Sequence, residues 1–442
     1  MSRASHLLGL LLLAGCEPTS AENMLGEDWS LPETGSADSA QGGETGQETG
    51  EGEGEGEGEG EGEGDEDYGA QSADLFTIDR VISLDITLPK ESVDSLNVDP
   101  YTFVEGSIVI DGDEIDDVGV RIGGKLGSYR SLSGKAGFKI DLNQYVDGQR
   151  YKGLERIVAK NLVQDASFIH ERIAFQVYEA MGIPAPRVGY FWVTVNGKDF
   201  GLYANMEAVD DRFLKRAYAE PDGNLYDGDY LLSADGSSYT LMDFNTGTQD
   251  LLNLDEGEDV EHADVHAVTD ALGRASRGDF MADVGAVVDL DHHVRYMSVE
   301  FWAGQYDGYS NYTNNYRVYF DPSDGLMRMS PWDHDWAFYD TTPLTPQYGL
   351  ISIGCYNDSV CRERYYAAVT EMCATVAGMD LEAEIDQATD LINPYIEADP
   401  RKEVSTDQAI SAQNALRLWI MHRADILAST YGIMCEAPPD EL

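Results

Sequence analysis

Ser330-Pro331-Trp332-Asp333-His334-Asp335-Trp336 is the stretch on which the interpretation of this chain depends. Two carboxylates stand one residue apart between two tryptophans, at the end of an apolar run. Buried carboxylates must be hydrogen-bonded, paired or metal-bound, because an unpaired buried charge is very costly. Asp307 and the asparagines Asn311, Asn314 and Asn315 lie just upstream. Enzymes that hold the magnesium of a nucleotide typically have, in this order, an aspartate, asparagines, a short strand and another aspartate.

The N-terminal segment predicts export and lipid anchoring. Arg3 precedes the apolar run from Leu8 to Ala14, which is too short to span a bilayer and fits a secretory signal. Leu13-Ala14-Gly15-Cys16 resembles a bacterial lipobox, so residues 1–16 are expected to be a lipoprotein signal in which Cys16 is lipidated. We therefore expect an extracytoplasmic protein anchored to a bacterial membrane. Glu17, and not the aspartate associated with inner-membrane retention in many Gram-negative lipoproteins, follows the cysteine, so in a Gram-negative cell we expect the outer membrane.

Residues 17–74 predict a disordered acidic tether. They contain no Lys or Arg and 19 Asp or Glu, with a strict Glu-Gly repeat from Glu51 to Gly64. Glycine maximises chain entropy and like charges repel, so such a segment cannot collapse.

The net charge of −52 excludes several classes of partner. The remaining residues 75–442 still carry −34, which argues against nucleic acid and anionic lipid surfaces as partners. A nucleotide would have to be bound by locally concentrated cations.

Four cysteines remain when the lipobox cysteine is set aside, and all lie in the C-terminal quarter. An even number in an exported protein suggests disulfides, and four cysteines allow three connectivities. We prefer Cys355–Cys361, which closes a short loop, and Cys373–Cys435, which fastens the C-terminus.

The order of predicted elements indicates an α+β fold with two lobes, because a strand-rich half is followed by a helix-rich half. The folded domain is expected over residues 75–435, with lobes of about 75–206 and 207–435 and a tail of 436–442. Predicted strands are Phe76–Leu88, Tyr101–Ile110, Val118–Ile122, Gly137–Leu142, a hairpin of Tyr190–Val195 and Phe200–Met206 turning at Asn196-Gly197, and Tyr316–Phe320 with Leu326–Ser330. Predicted helices are Asp165–Met181, Asp210–Ala219, His262–Arg274, Asp289–Gln305, Cys361–Ala377, Leu381–Tyr395 and Ser405–Tyr431.

Taken in order, these pieces resemble the spore-coat CotH family of atypical protein kinases, from about Val118 to Tyr339. Each fragment is weak alone, whereas the full set in the family's order is hard to reach by chance. The resemblance is carried by Arg121-Ile122-Gly123-Gly124, Lys135 with Phe138-Lys139-Ile140, Asp165-Ala166-Ser167 leading to His170-Glu171-Arg172, Gly182-Ile183-Pro184-Ala185-Pro186-Arg187, Val195-Asn196-Gly197 with Gly201-Leu202-Tyr203, Glu207 with Asp210 and Phe213-Leu214, Gly223-Asn224-Leu225-Tyr226, Asp307 with Asn315-Tyr316, and Pro331-Trp332-Asp333-His334-Asp335.

The resemblance implies an ATP site in the strand-rich lobe. Lys139 would contact the α- and β-phosphates and Glu171 would hold it by an ion pair, as a strand lysine and a helix glutamate do in protein kinases. Lys135 is a second candidate for this lysine. Arg121 would cover phosphates beside its two glycines, although a plain turn explains that segment nearly as well. Glu207 would lie near the adenine, where the lobes connect.

The resemblance also implies a catalytic and a metal site. Asp307 would accept the proton of a substrate hydroxyl. Asn315, preferred over Asn311 because of the strand that follows it, would bind Mg²⁺ or Mn²⁺ together with Asp333. Asp335 would be a second ligand or a structural acceptor.

The expected function is therefore transfer of the γ-phosphoryl group of ATP to hydroxyls of a protein substrate, Ser or Thr foremost, at the cell surface or in the periplasm. The alternative is an inactive kinase-like surface scaffold stabilised by calcium or nucleotide. Acidic turns such as Asp111-Gly112-Asp113-Glu114 would suit calcium, but none matches a full EF-hand loop.

Overall fold

Seven strands of the N-terminal half close into a barrel. The computed structural model describes residues 68–233, 238–339 and 342–435. The strand order is β1-β2-β3-β4-β5-β7-β6, and parallel pairing of β1 with β6 closes the barrel, whereas the other neighbours are antiparallel. The strands are β1 Ile82–Thr87, β2 Val104–Ile110, β3 Asp113–Gly123, β4 Gly137–Asp141, β5 Arg156–Lys160, β6 Val188–Val195 and β7 Lys198–Met206.

Helices make up most of the C-terminal half. Among the described residues, its helices are α4 Asp211–Ala217, α5 Ala263–Ala275, α6 Phe280–Asp283, α7 Leu290–Ala303, α8 Tyr309–Tyr312, α9 Leu350–Asn357, α10 Ser359–Gly378, α11 Leu381–Ala398 and α12 Thr406–Ile426, which continues as a π-helix over Leu427–Tyr431. The N-terminal half contains α1 Tyr68–Gln71, α2 Lys90–Leu96 and α3 His170–Ala180 beside its strands. None of them is both long enough and apolar enough to cross a bilayer.

A second, four-stranded sheet positions the acidic residues of interest. Its order is β11-β8-β12-β13, and β12 and β13 form an antiparallel hairpin. Asn315 immediately precedes β12 and Asp333 follows β13 by one residue, so the hairpin brings both to one end of the sheet. These strands are β8 Asn224–Asp227, β11 Asn253–Glu256, β12 Tyr316–Asp321 and β13 Leu326–Pro331, and a short pair consists of β9 Leu231–Leu232 and β10 Tyr239–Thr240.

Two separate apolar clusters support the two halves. Phe138, Phe191 and Tyr203 belong to the cluster that fills the barrel. A larger cluster among the helices includes Tyr178 and Trp302. Burial of these side chains is the main stabilising term in each half.

The mixed α+β composition predicted from the sequence is confirmed. Asn196 and Gly197 both have positive φ angles, 49° and 71°, as the turn of the predicted hairpin requires. The helix predicted from Asp165 begins only at His170, because the Asp165 carboxylate accepts hydrogen bonds from the backbone N–H groups of Ser167 and His170 and holds a turn there. β5 was not predicted.

The preferred disulfide pairing is confirmed. Cys355 pairs with Cys361 between α9 and α10, and Cys373 of α10 pairs with Cys435. The predicted signal, Cys16, nearly all of the acidic tether and the tail 436–442 lie outside the described residues.

Candidate functional site

Lys160, the last residue of β5, connects two acidic residues from distant parts of the chain. Its ammonium lies 2.5 Å from Glu171 Oε1 in the first turn of α3 and 2.8 Å from Asp333 Oδ1. Burial alone would lower the pKa of Lys160, but Asp333 and Glu171 raise it above its ordinary value. The ammonium is therefore charged and held between two carboxylates.

The predicted pairing of Glu171 with Lys139 is wrong. Glu171 is buried and its ion pair is with Lys160, whereas Lys139 stands on the neighbouring strand β4. The signal for Lys160 was present as Ile157-Val158-Ala159-Lys160, an apolar run that ends in a lysine, similar to the Val-Ala-Ile-Lys strand motif of protein kinases.

Asp333 and Asp335 come together at a sharp backbone turn after β13. Asp333 has a positive φ of 47°, a conformation that is strained for a residue with a side chain. Burial opposes ionisation of Asp333, but Lys160 keeps its pKa below the ordinary value. Burial and the charge of Asp333 raise the pKa of Asp335 well above its usual range, and the two carboxyl groups are hydrogen-bonded. His334 points away from them into the core, where its Nε2 lies 3.0 Å from the Tyr178 hydroxyl.

Asp307 lies near Asp333, on the segment after α7. Burial and the nearby Asp333 raise its pKa to about 7, while a hydrogen bond from Asn315 opposes the shift. Its Oδ1 is buried without a hydrogen-bond partner. Gln305 braces this segment by donating from Nε2 to the carbonyl oxygen of Asp333 at 3.0 Å. Asp307 therefore carries a buried carboxylate oxygen that no other group of the described residues engages.

One cavity of about 150 Å³ brings most of the expected site residues together. Glu171 does not line the cavity itself, but it forms an ion pair with Lys160, which does. The walls of the cavity include these residues singled out from the sequence: Arg121, Lys139, Asp307, Asn315, Asp333 and Asp335.

Glu207, expected near the adenine, does not line this cavity. It is buried, with ion pairs to Arg187 at 2.6 Å and Arg216 at 2.8 Å. Its carboxylate also accepts a hydrogen bond from the backbone N–H of Arg187. The role proposed for Glu207 is therefore wrong, because its side chain is occupied in joining β6 and α4 to the end of the barrel.

Two alternatives left open by the sequence are also decided. Lys135 is buried in an ion pair with Asp399 at 2.7 Å, which ties the connection between β3 and β4 to the end of α11, so it is not a cavity lysine. Asn311 donates to the carbonyl oxygen of Gln305 at 3.0 Å and does not line the cavity.

Sequence reasoning missed several cavity residues besides Lys160. Lys125 pairs with Asp229 at 2.6 Å across the mouth, and its ammonium lies 5.1 Å from the centre of the Tyr230 ring. Asn314 contributes a buried Oδ1 that has no partner. The Asn-rich run was the available signal for Asn314, whereas Lys125, Asp229 and Tyr230 belong to segments with no distinguishing pattern.

The oxygen atoms of the cavity fit a magnesium ion. Asn314 Oδ1 is buried without a partner, and Asp333 and Asp335 are adjacent carboxyl groups. In the part of the chain that the structure describes, no three His, Cys, Asp or Glu side chains form a ready cage for a metal. Magnesium usually takes one or two carboxylates and completes its coordination with waters and substrate phosphates, so this set is sufficient.

A protein-family model and one similar protein both indicate the same family. The CotH kinase protein family model matches residues 120–427. The inner spore coat protein H of Bacillus subtilis (strain 168) is 20% identical over 299 residues, which cover 64% of this chain and 80% of that protein.

Two solved structures are also similar at low scores. One is a Shewanella oneidensis MR-1 complex of the toxin–antitoxin proteins HipA and HipB with operator DNA, with a TM-score of 0.30 and 12% identity over 77% of this chain and 71% of the matched one. The other is the Helicobacter pylori proinflammatory kinase CtkA, with a TM-score of 0.27 and 9% identity over 73% of this chain and 88% of the matched one. The family model spans well over half of the sequence, and the chain belongs to the CotH kinase protein family.

Proposed function

We propose that this protein transfers the γ-phosphoryl group of ATP to a hydroxyl group of a protein substrate, using Mg²⁺ or Mn²⁺. The observation that carries the proposal is the contact of Lys160 with both Glu171 and Asp333, in a cavity that Asp307 and Asn315 also line. A strand lysine held by a helix glutamate, facing a metal-binding aspartate and a catalytic aspartate, is the arrangement of a phosphotransferase. The barrel would then be the N-lobe and residues 207–435 the C-lobe of a kinase-like fold.

Each cavity residue has a part in this chemistry. Lys160 would donate to the α- and β-phosphates while Glu171 keeps its ammonium in position. Asp333, with Asn315 or Asn314 and with Asp335, would hold the divalent ion. When bound, that ion supplies positive charge that neutralises the phosphates.

Asp307 would orient the substrate hydroxyl and accept its proton. A pKa of about 7 suits this role, because a general base works best when its pKa lies near the operating pH. The hydrogen bond from Asn315 fixes one side of the carboxylate, while the unpartnered Oδ1 remains available to the acceptor.

The proposal includes an extracytoplasmic setting. Two disulfides in the described residues suit an oxidising compartment. The lipobox at Cys16 would attach the enzyme to a membrane, and the acidic segment would hold the catalytic domain away from it. The acceptor would then be a protein of the cell surface or periplasm.

The direct test is phosphate incorporation from γ-labelled ATP by the full chain, with Mg²⁺ or Mn²⁺ and a mixture of surface proteins as acceptors. Asp333→Asn should abolish incorporation and also the rise in melting temperature that Mg-ATP produces. Asp390→Asn, which removes the same charge from the exposed face of α11, is the matched control and should behave as the unmodified protein.

Two results would contradict the proposal. ATP-dependent stabilisation without incorporation into any acceptor would favour a nucleotide-binding scaffold. Undiminished stabilisation of Asp333→Asn by Mg-ATP would remove that residue from the metal site.

A further inference from the structure

Glu300 is a buried carboxylate that has no part in the chemistry proposed above. It lies in the last turn of α7, and only 2% of its surface is exposed. Its Oε2 accepts a hydrogen bond from the backbone N–H of Ser310 at 3.1 Å. The backbone N–H of Tyr309 also favours the ionised form of this carboxylate. The side chain therefore connects α7 to the segment that follows Asp307.

These two N–H groups are the first of the short helix α8. The cap residue of α8 is Gly308, which has no side chain to accept a hydrogen bond. The first N–H groups of a helix have no partner within it, and a side chain at the cap position usually supplies the acceptor. Glu300 supplies that acceptor from α7, and its negative charge suits the N-terminal end of a helix.

Gly308 packs directly against the Glu300 carboxylate. A Cβ atom at position 308 would lie 2.2 Å from Glu300 Oε1 and 2.7 Å from Gln305 Cγ, and both of these side chains are buried. Only glycine allows so close an approach. Because Gly308 is the residue directly after Asp307, this contact fixes the backbone from which the Asp307 side chain projects.

Ser310 is held on its other side as well. Its hydroxyl oxygen lies 3.1 Å from that of Ser352 in α9, and the Ser352 oxygen lies 3.1 Å from His293 Nε2. All of these side chains are buried. A buried N–H group that loses its acceptor is costly, so removal of the Glu300 carboxylate would favour movement of the segment that contains Asp307.

We propose that Glu300 is a positioning residue for phosphate transfer: it caps α8, packs against Gly308 and thereby holds the Asp307 carboxylate in place for the acceptor hydroxyl. The catalytic consequence rests on the proposed function. The contact itself rests on the hydrogen bond to Ser310 and the close packing of Gly308.

Two substitutions of Glu300 in the full chain test this proposal by kcat with γ-labelled ATP and by the Kd for ATP. Glu300→Met removes the acceptor oxygens and should lower kcat by about 10²-fold with unchanged ATP affinity, because misplacement of a reacting group by about 1 Å costs about that much. Glu300→Gln keeps one acceptor oxygen and should recover most of the lost kcat. Glu363→Met, on the exposed face of α10, is the matched control and should change neither quantity.

The Asp307→Asn background separates positioning from a merely structural role. Glu300→Met should cause no further loss of the residual kcat in that background, because both changes disable the same group. An equal loss in both backgrounds, or an unchanged kcat in a folded Glu300→Met, would overturn the proposal. Gly308→Ala disturbs the same contact if Glu300→Met does not fold. It should also lower kcat at constant ATP affinity, and an unchanged kcat would again overturn the proposal.

Amide hydrogen exchange distinguishes failure of this proposal from failure of the proposed function. In Glu300→Met the backbone N–H groups of Tyr309 and Ser310 should exchange faster, while that of Ile385 in α11 should keep its protection. Faster exchange in a protein that transfers no phosphate would support the hold of Glu300 on this segment while contradicting the proposed function. Unchanged exchange would overturn the proposal whatever the activity.

Discussion

The ammonium of Lys160 lies 2.5 Å from Glu171 Oε1, and this contact joins the end of β5 to the first turn of α3. Glu171 is buried, and its Oε2 has no hydrogen-bond partner. Lys160 therefore provides the positive charge that compensates the carboxylate of Glu171, because an uncompensated buried carboxylate is strongly destabilising. The same lysine contacts Asp333, so the position of one side chain links the barrel to the acidic turn after β13.

Asp307→Asn should abolish phosphate transfer without weakening ATP binding. Loss of a general base lowers the rate of the chemical step by about 10²–10⁴-fold, while the contacts of Lys160 and Asp333 remain. Parallel measurements of turnover from γ-labelled ATP and of the ATP dissociation constant check this expectation. Asp390→Asn, on the exposed face of α11, serves as the matched control. An equal loss of turnover and affinity would place Asp307 in the nucleotide site instead.

Glu300 should give the protein a pH-dependent stability. Burial raises its pKa from 4.5 to about 7, and its Oε1 has no partner. Since the folded pKa is higher than the unfolded one, the folded state retains the proton longer, and this stabilisation is lost as the pH rises from about 4.5 to about 7. Its magnitude is about 3 kcal/mol, because one pKa unit corresponds to about 1.4 kcal/mol.

The free energy of unfolding of Glu300→Gln, measured by urea denaturation between pH 4.5 and pH 8, checks this prediction. Its decline with pH should be shallower than that of the unmodified protein. Parallel profiles for the two proteins would show that Glu300 does not titrate differently on unfolding.

The two disulfides should stabilise the fold unequally. Cys373 and Cys435 are separated by 62 residues, whereas Cys355 and Cys361 are separated by 6. By loop-closure entropy the longer link contributes about 4 kcal/mol and the shorter about 2 kcal/mol. Cys373→Ser should therefore lower the free energy of unfolding more than Cys361→Ser, as judged by urea denaturation under oxidising conditions. The reverse order would indicate that burial of the shorter link outweighs chain entropy.

Local patterns predicted those parts of the fold and site that depend on neighbouring residues. The Asn196-Gly197 turn and the longer helices of the C-terminal half follow from sequence spacing. The even number of cysteines in a chain expected to be exported suggested disulfides, and of the three possible connectivities the preferred one is the one observed.

Long-range pairings could not be predicted in the same way. Lys135 precedes β4, Lys139 lies within it and Lys160 ends β5, and only the closed barrel decides which of these lysines meets α3. Glu207 resembled a cavity residue by position, but in the fold it pairs with Arg187, just before β6, and with Arg216 of α4. Such choices are made by tertiary contacts between segments far apart in the chain.

Phosphate transfer by Lys160→Met is the most direct test of the account. The full-length variant, the unmodified protein and Lys198→Met would be compared at saturating γ-labelled ATP with Mg²⁺. Lys160→Met should lose at least about 100-fold in turnover, since removal of one preorganised electrostatic contact typically costs 10²–10³-fold, while Lys198→Met should retain full activity. Turnover by a folded Lys160→Met equal to that of the unmodified protein would contradict the assignment of this cavity as a phosphotransfer site.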